Sequence, residues 1–473
     1  MLRIIERFPV GPLQAWLTQN RQFLLRALTV GGVLLASAYL ARRPSERYVI
    51  LLLGAGAAVV LLRQPLIGLA GVIIGSLVVP IGIGTGSETK LNPPFLLVGM
   101  LLGIWLLDMV QRRNIRLLPS RTMLPLIALL VIVLLSFGAG QLQWFATNAA
   151  PIRAQIGGVA IFVFSIGAFL LMSHLVQDLR WLEQLTWIFL ALGGLYVAGQ
   201  VVPGVGRVIN PLYPYNAGGA LFWTWLVALA FGQAVFNRRL PLFWRFALSV
   251  LVVATLFVTL VLKQDWVSGW APAIVAIVVT LWAGSPRLAL PVTLVGVVLA
   301  VFATQNLVAF VNVGDNAYST MTRLEAWRIL LEIIKVSPIL GLGPANYYWY
   351  TPLFSILGYY VSFNSHNNYV DLVAQTGLLG LGCFLWFAWE TGRLGWQLRS
   401  RAPEGFAKAY VYGVLGGLAG TLLAGQLGDW VIPFVYNVGF DGFRASVLGW
   451  MFLGGLVVIE HILQQSQPSL QTE

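Results

Sequence analysis

The sequence predicts an all-α polytopic membrane protein with about 12–14 transmembrane helices and a large extracytoplasmic (periplasmic) loop containing amphipathic helices. Of the 473 residues, 58% are hydrophobic and only 10% are charged, and the mean hydropathy is +0.81. A chain of this composition cannot cover its surface with water-facing side chains. The apolar residues also fall into runs close to the roughly 20 residues that one membrane crossing needs. Short basic clusters separate these runs, as in a membrane protein with charged loops.

About fourteen apolar segments follow one another along the chain, and about twelve is the alternative count. Segments 49–62 and 66–84 are short, so one of them is expected to be re-entrant or to span half of the membrane. The predicted segments are 23–40, 49–62, 66–84, 95–110, 122–139, 158–176, 182–199, 217–236, 244–262, 267–283, 288–306, 367–389, 407–426 and 444–462. They form one membrane domain, which we divide into N-terminal helices (1–306), an outer loop with a surface helix (307–366) and C-terminal helices (367–473).

The basic residues predict the orientation of the chain. The net charge is +12, but the arginines and lysines lie in short loops at 111–121, 237–245 and 390–408 rather than in one basic patch. These loops fall on one side when every intervening segment spans, and the positive-inside rule makes that side cytoplasmic. Nucleic-acid binding is therefore not expected. The opposite, outer side receives residues 141–157, 200–216, 263–266, 307–366 and 427–443.

Ionisable residues are scarce inside the predicted spans. Arg26, Asp108 and Glu183 lie near span ends, where their side chains can reach the interface. An ion-coupled transporter generally needs such groups near the bilayer midplane. Polar residues are instead concentrated on the outer side, which favours chemistry at the membrane surface.

The stretch 320–385 is the most polar interruption of the apolar pattern. Thr322 and Glu325 have the spacing of a capping box and predict that a helix starts there, with Arg323 in its first turn. Leu324, Trp327, Leu331 and Ile334 recur at helical spacing and predict an amphipathic helix on the outer membrane surface, ended by Ser337–Pro338. A loop arginine four residues before a tryptophan commonly packs over the indole. The alternative is that Arg323 serves a site.

Two further features follow within this stretch. The Gly341-Leu-Gly-Pro344 sequence lacks the Lys-Ser/Thr of a phosphate-binding loop, and it predicts a tight turn that reverses the chain toward the membrane. The aromatic residues 347–350 are typical of an interfacial belt. A sugar-stacking wall has the same composition, so both interpretations stay open.

His366 is one of three histidines and the only one predicted on the outer face. It precedes a membrane helix, whose free amides and dipole favour an anion, and Asn367 and Asn368 follow it. A structural histidine is the ordinary interpretation of a lone histidine. Its place at the helix start favours a site instead. No Asp, His or Cys stands near it at ligand spacing, so a metal site is not expected.

These motifs together resemble the bacterial O-antigen ligase and polymerase family. About sixty-five residues carry the resemblance, in order and at family spacing: Arg323-Leu-Glu-Ala-Trp327, Ser337-Pro-Ile-Leu-Gly-Leu-Gly-Pro344, His366-Asn-Asn-Tyr369 and Gln375-Thr-Gly-Leu-Leu-Gly380. A weaker match lies upstream, at Gly206-Arg207-Val-Ile-Asn210 and Tyr215-Asn216-Ala217. One element departs from the pattern. Where the family often has a Thr-x-Ser-Arg-Gly run at an outer helix start, this chain has Lys263-Gln-Asp-Trp-Val-Ser-Gly-Trp270, which holds no arginine. Either Lys263 supplies the cation there or the site lacks it.

The resemblance implies a GT-C class membrane glycosyltransferase. Such an enzyme would move a glycan from an undecaprenyl-pyrophosphate carrier to an acceptor hydroxyl, on lipid A-core or another glycan, at the outer face of the cytoplasmic membrane. Carried over to this sequence, Arg207 and Arg323 would bind the pyrophosphate, for which forked guanidinium groups are well suited. His366 would act as general base or as a phosphate donor. Asn216, Asn367 and Lys263 would complete the substrate site, without metal or cofactor.

Three functions within the family stay open: ligase, repeat-unit polymerase and protein-directed transferase. The long outer loop suits a wide acceptor and favours the ligase. A transporter of inorganic carbon is the alternative from another class, because some family members have been described as such. The scarcity of midplane charges argues against it.

Overall fold

The structure, a computed structural model, describes residues 60–84, 90–114, 117–214, 217–311 and 315–465 together with Gly56. Side chains are described for these residues except 299–300 and 303–320. The chain divides into two units, Met1–Arg63 and Gln64–Glu473, and the description below concerns the second unit. Predicted segment 23–40 and most of segment 49–62 lie outside the described residues.

Helices make up most of the second unit, and two antiparallel strands of two residues each lie between the first two helices. In chain order the elements are α1 (Pro65–Leu77), β1 (Ile83–Gly84), β2 (Lys90–Leu91), α2 (Pro93–Gln111), α3 (Met123–Ala139), α4 (Ile152–Leu175), α5 (Leu179–Val201), α6 (Pro203–Ile209), α7 (Ala220–Phe236), α8 (Leu242–Phe257, continued by a π-helical turn Val258–Leu262), α9 (Val267–Gly284), α10 (Pro286–Val311), α11 (Asp315–Ile334), α12 (Tyr347–Tyr350), α13 (Asn368–Arg401), α14 (Phe406–Leu427) and α15 (Gly439–Gln465). Short 3₁₀ turns follow α6 at Asn210–Leu212 and α12 at Thr351–Leu353.

Each of the twelve predicted apolar segments between residues 66 and 462 overlaps one of these helices. Eight helices in the described residues are long and apolar enough to cross a membrane, and four shorter apolar helices accompany them. The all-α polytopic fold is thus confirmed. Helix α1 has 13 residues, or about 20 Å at 1.5 Å per residue, and does not cover a hydrocarbon core of about 30 Å. This length agrees with the prediction of one short segment near the start of the chain.

The basic clusters meet at one end of the helices. A Cβ built on Gly405, between α13 and α14, would lie 2.8 Å from Cδ of Arg239, which follows α7. Glu460, near the end of α15, lies within electrostatic range of Arg121 and Arg401. The loops before α3, after α7 and after α13 therefore share one end, as the positive-inside argument requires.

The loops predicted on the outer side meet at the opposite end. Asn346 Nδ2 donates to the carbonyl of Gly140, after α3, at 3.0 Å, and Asn346 Oδ1 accepts from the amide of Ala150 at 3.1 Å. Asn368, at the start of α13, donates through Nδ2 to the carbonyl of Ile432 at 2.7 Å. We call this end the loop end.

The predicted Gly-Pro turn is built into a break in helix α13. Gly377 has φ of +68° and ψ of −174°, so the helix is interrupted there. The amides of Leu342 and Gly343 donate to the carbonyls of Ala374 and Gln375, at 2.9 and 3.0 Å. A Cβ on Gly341 would lie 2.6 Å from this backbone, and only glycine permits the approach. The turn is architectural, as predicted, and it fixes the chain before His366 to the helix after it.

Several predicted boundaries are wrong. Helix α11 begins at Asp315, so Thr322 and Glu325 lie within it and do not form a capping box at its start. Helix α13 continues to Arg401 and carries all three arginines assigned to a loop at 390–408, since amphipathic turns can prolong a span beyond its apolar core. Helix α15 begins at Gly439 rather than at 444.

The predicted amphipathic face of α11 is also only partly right. Leu324 and Leu331 are each 57% exposed, whereas Ile334 is buried. The buried face is centred instead on Ala326, Leu330 and Ile333, which pack with Tyr347 and Phe434. The helix is therefore packed onto the loop end and does not lie free on a surface.

Candidate active site

Arg323 lies on the partly covered side of α11, at the loop end. One turn later, Trp327 Nε1 donates to the carbonyl of Ser365 at 2.7 Å. This hydrogen bond ties the arginine-bearing helix to the residue immediately before His366. Two segments 40 residues apart in the chain are thereby brought together.

His366 has an unusual backbone conformation just before α13. Its φ is +48°, which a residue with a side chain adopts at a cost of about 1–3 kcal/mol. Asn367 is the N-cap, and its Oδ1 accepts from the amides of Tyr369 at 2.9 Å and Val370 at 3.4 Å. The Ser365 hydroxyl accepts from the Asn367 amide at 2.9 Å. His366 thus stands at the helix start as predicted, held by the cap on one side and by Ser365 on the other.

Asn367 itself is 2% exposed, and its carboxamide oxygen is used by the cap. Its predicted contact with substrate stays a prediction. The observed hydrogen bonds give it a positioning role toward His366.

A polar chain extends from His366 into the loop between α14 and α15. Asn437 Nδ2 lies 3.4 Å from His366 Nδ1 and donates to Asp429 Oδ1 at 2.7 Å. Asp429 Oδ2 accepts from the amide of Phe434 at 3.0 Å. The carboxylate therefore holds the amide nitrogen of Asn437 toward itself, and the same nitrogen faces the imidazole.

Arg323 is electrostatically coupled to both ends of this chain. Partial burial lowers the pKa of Arg323, and the nearby Asp429 carboxylate opposes that shift. Burial also lowers the pKa of His366, and the charge of Arg323 lowers it further. Burial raises the pKa of Asp429. Arginine, histidine and aspartate thus form one charged group at the loop end, and the imidazole is biased toward its neutral form.

A second buried carboxylate supports the backbone that carries His366. Asp371, in the first turn of α13, is 1% exposed, and its Oδ1 accepts from the hydroxyls of Tyr347 and, at 2.7 Å, Ser365. Its other oxygen, Oδ2, is buried and has no hydrogen-bond partner. Ser365 therefore links the buried carboxylate to the backbone that carries His366.

The loop between α14 and α15 is held in place by Asn368. Asn368 Oδ1 accepts from the amide of Val431 at 2.7 Å, while its Nδ2 donates to the carbonyl of Ile432. Both of its polar ends are used, so it anchors the loop that presents Asp429 and Asn437. This explains why two consecutive asparagines follow the histidine: one caps the helix and the other fixes the opposing loop.

The remaining predicted site residues lie on other elements. Arg207 is exposed on the short helix α6, which packs on the end of α5. Lys263 follows α8, and its Nζ lies 5.2 Å from the ring centroid of Trp223 at the start of α7. No hydrogen bond or ion pair among the described residues joins either of them to Arg323 or His366. Asn216 lies outside the described residues.

The aromatic residues 347–350 are largely internal. Tyr347 and Tyr350 are at most 1% exposed, and the ring of Tyr347 stacks on Phe434 at 4.8 Å between centroids. Tyr348 stacks on Tyr436 at 4.6 Å. Neither an interfacial belt nor a sugar wall describes Tyr347 and Tyr350, because both are buried. The cluster instead supports the loop that carries Asp429.

Metal-ligating side chains do not cluster in the part of the chain that the structure describes. No group of three or more His, Cys, Asp and Glu side chains there is arranged to hold a metal ion. Asp429 accepts hydrogen bonds through both of its oxygens, and Asp371 accepts through Oδ1.

Comparison with known protein families gives one match. Residues 251–385 match the model of the family described as O-antigen ligase. This supports assignment of the chain to the O-antigen ligase family. The matched interval runs from α8 to the first half of α13 and includes Lys263, Arg323, His366 and Asn367. No curated protein matches the chain.

The sequence reasoning missed Asp429 and Asn437, which lie outside the matched interval. Their loop was predicted on the same side as His366, and Asp429 opens it directly after an apolar helix. A carboxylate at that point of a membrane protein is a signal of function or of pairing. Its partner was not identifiable because the contact with His366 spans more than sixty residues.

Proposed function

We propose that the protein transfers a glycan from an undecaprenyl-pyrophosphate carrier to an acceptor hydroxyl at the outer face of the cytoplasmic membrane. The observation that carries the proposal is the meeting of Arg323 and His366 at the loop end, within the interval that matches the O-antigen ligase family. The family match supports an enzyme that processes membrane-linked glycans. The identity of the carrier, the side of the membrane on which transfer occurs and the independence of the reaction from metal are parts of the proposal.

The chemistry needs positive charge at the leaving group. As the bond between the anomeric carbon and the pyrophosphate oxygen breaks, negative charge accumulates on the pyrophosphate, and preorganised donors there lower the barrier. Arg323 is half-buried, and Asp429 is the carboxylate among the described residues whose charge acts on it. Its forked guanidinium donors suit an anion such as pyrophosphate. Its position beside His366 gives the leaving group two donors from different elements.

The role of His366 follows from Asn437. Because Asn437 directs its amide nitrogen to Asp429, the same group offers a proton to His366 Nδ1, which then accepts. A neutral imidazole that accepts at Nδ1 carries its proton on Nε2. We therefore favour the phosphate-donor role of His366 over the general-base role. The acceptor hydroxyl would then lose its proton to the departing pyrophosphate, whose oxygen becomes more basic as the bond breaks.

A lipid-linked donor is supported by an apolar groove between α5 and α8. It has a volume of about 440 Å³ and is lined by apolar residues, among them Trp187, Gly194, Val201, Trp244 and Leu251. The groove reaches the end of α5 that joins α6, where Arg207 is exposed. In the proposal a polyprenyl chain occupies this groove and Arg207 receives the anionic head.

The transporter alternative finds less support. Of the buried side chains in the described residues, the charged ones are Asp371, Asp429 and Arg444. Asp371 and Arg444 lie in the first two turns of their helices, and Asp429 lies in a loop. A relay through the middle of the bundle would need such groups at other depths.

The test is transfer by purified protein. Protein in nanodiscs would be incubated with an undecaprenyl-pyrophosphate glycan, with and without acceptor, and the products would be sized. Transfer of one donor glycan onto acceptor identifies a ligase, and a ladder of repeat units identifies a polymerase. Absence of carrier turnover with any acceptor class, including lipid A-core, glycan and polypeptide, would refute the proposal.

A further inference from the structure

A second cavity lies at the loop end, between α7, α9 and α15. It has a volume of about 240 Å³ and is lined by Gly218, Gly219, Lys263, Trp266, Trp430, Val438, Gly442 and Ala445. Trp430 directly follows Asp429 in the loop between α14 and α15. The cavity therefore adjoins the charged group of Arg323, His366 and Asp429 without sharing a lining residue with it.

Its lysine has no anionic partner. Lys263 forms no ion pair with a described residue, and its ammonium lies over the face of Trp223, 5.2 Å from the ring centroid. Partial burial lowers the pKa of Lys263. A cation kept from water without a counter-ion is destabilising, and a bound anion would relieve that cost. The site thus lacks one negative charge.

Its aromatic walls are not arranged for an anion alone. Trp266 and Trp430 meet edge to face, with ring centroids 5.6 Å apart and planes at 70°. The indole nitrogen of Trp430 is buried against Gly428, where a Cβ would lie 2.4 Å from it, so Trp430 offers the cavity its apolar ring surface. A ligand that covers apolar ring surface and carries one negative charge matches the tryptophans and the unpaired lysine. Gly218 and Gly219 also line the cavity.

We propose that this cavity binds one pyranose ring that carries a carboxylate, the ring of a uronic acid within the transferred or accepting glycan. Lys263 pairs with the carboxylate, and Trp266 and Trp430 cover the apolar face of the ring. The volume lies below the roughly 300–1,000 Å³ of pockets for drug-sized ligands, which suits a single ring. The inference rests on the proposed function, since it names a sugar of that reaction.

The inference changes the role expected for Lys263. The family pattern places a cation near this helix start, and the resemblance would have Lys263 face the pyrophosphate. In the structure Lys263 lies over the ring of Trp223 and lines a cavity with Trp266 and Trp430, whereas the charge of Arg323 acts on His366. A point-charge ammonium beside aromatic rings selects a charged sugar, and forked guanidinium groups select the phosphates.

Binding can be measured without turnover. Protein in nanodiscs would be titrated with methyl β-D-glucuronoside, methyl β-D-glucoside and inorganic pyrophosphate, followed by ligand-observed NMR. We expect the glucuronoside to bind about tenfold or more tightly than the glucoside, because the carboxylate adds a charge-assisted contact. Lys263→Met should abolish that difference and Lys263→Arg should largely retain it. Trp266→Leu should weaken both sugars.

Two controls isolate the cavity. Lys335→Met removes a lysine that is exposed and paired with Glu332 at 2.6 Å, and it should leave binding unchanged. Trp389→Leu removes a tryptophan that is 70% exposed on α13 and should do the same. If Lys263→Met does not fold, the Lys263→Arg and Trp266→Leu variants carry the test.

The outcomes separate this inference from the transfer reaction. Three results would each overturn the uronate site. In the first, the two sugars bind equally well, and in the second, the glucuronoside still binds selectively to Lys263→Met. In the third, the protein binds pyrophosphate but not the glucuronoside, and Lys263→Met loses the pyrophosphate binding. Selective glucuronoside binding in protein that turns over no carrier would support the cavity and refute the proposed function. Carrier turnover without selective sugar binding would support the proposed function and overturn the uronate site.

Discussion

Replacing Arg323 by lysine tests the central step of the proposed mechanism. The substitution keeps the positive charge but removes the planar fork that binds two phosphate oxygens at once. Arg323 is half-buried, and its charge acts on both Asp429 and His366. Water therefore cannot replace, without an energetic cost, the phosphate contacts that a lysine no longer makes. A charge-assisted hydrogen bond contributes about 1.5–3 kcal/mol. Its loss from the transition state alone corresponds to roughly a tenfold to a hundredfold lower rate.

The chain offers a matched control on the same helix. Arg328 is exposed, with 79% of its side chain accessible, and its contact with Glu325 is a surface ion pair at 3.6 Å. Arg328→Lys should change the rate little, since such pairs contribute about 0–1 kcal/mol. We expect both variants to be monodisperse in nanodiscs with similar thermal unfolding. Transfer would be followed as product formed per minute from the carrier-linked glycan at saturating acceptor.

The refuting result is a rate for Arg323→Lys equal to that of Arg328→Lys. A positive charge at position 323 would then suffice for the reaction, and the inference that a forked guanidinium contacts the phosphate would be wrong. A fall in thermal stability that accounts for the lost rate would refute it as well, because the residue would then be structural. Arg323→Gln completes the series, and its rate should be the lowest of the three.

Three further predictions follow from particular contacts. Burial and the charge of Arg323 lower the pKa of His366, so its imidazole loses the proton at a lower pH than an ordinary histidine. In Arg323→Gln the pH dependence of His366 acylation by diethyl pyrocarbonate, measured by peptide mass spectrometry, should move to higher pH. An unchanged curve would contradict the coupling. Gly377→Ala should destabilise the protein by more than about 2 kcal/mol, because Gly377 has a positive φ and the new Cβ would lie 2.0 Å from the Ile339 carbonyl. The control is Gly382→Ala on the same helix, whose Cβ meets nothing within 4 Å. Thermal unfolding should show a lower midpoint for Gly377→Ala than for Gly382→Ala. Gly194→Phe should fill the groove between α5 and α8 and raise the KM for a C55 carrier, while Gly296→Phe, at a site with no atom within 4 Å, should not; equal KM values would remove the polyprenyl chain from the groove.

Much of the candidate site was predictable because its members are local. Arg323 and Trp327 are one turn apart, and His366 directly precedes a strong apolar helix, so spacing and hydropathy alone indicate them. The start of α11 was mispredicted because a capping-box pattern lies inside a helix that begins seven residues earlier. A capping-box pattern does not exclude a longer helix, because most helical stability in proteins comes from tertiary packing rather than from local hydrogen-bonding groups.

The sequence by itself determined the membrane class, the order of the helices between residues 65 and 465, and the gathering of the basic loops at one end, because these depend on hydropathy and on charge between apolar runs. The tertiary structure decided which residues meet. It joined Asn437 and Asp429 to His366, buried Tyr347 in the core, and placed Lys263 over Trp223 in a cavity lined also by Trp266 and Trp430. Hydropathy is summed over neighbours in the chain, whereas a site is built from contacts between distant loops. The packing of helices sets those contacts, and no periodicity within one segment records them.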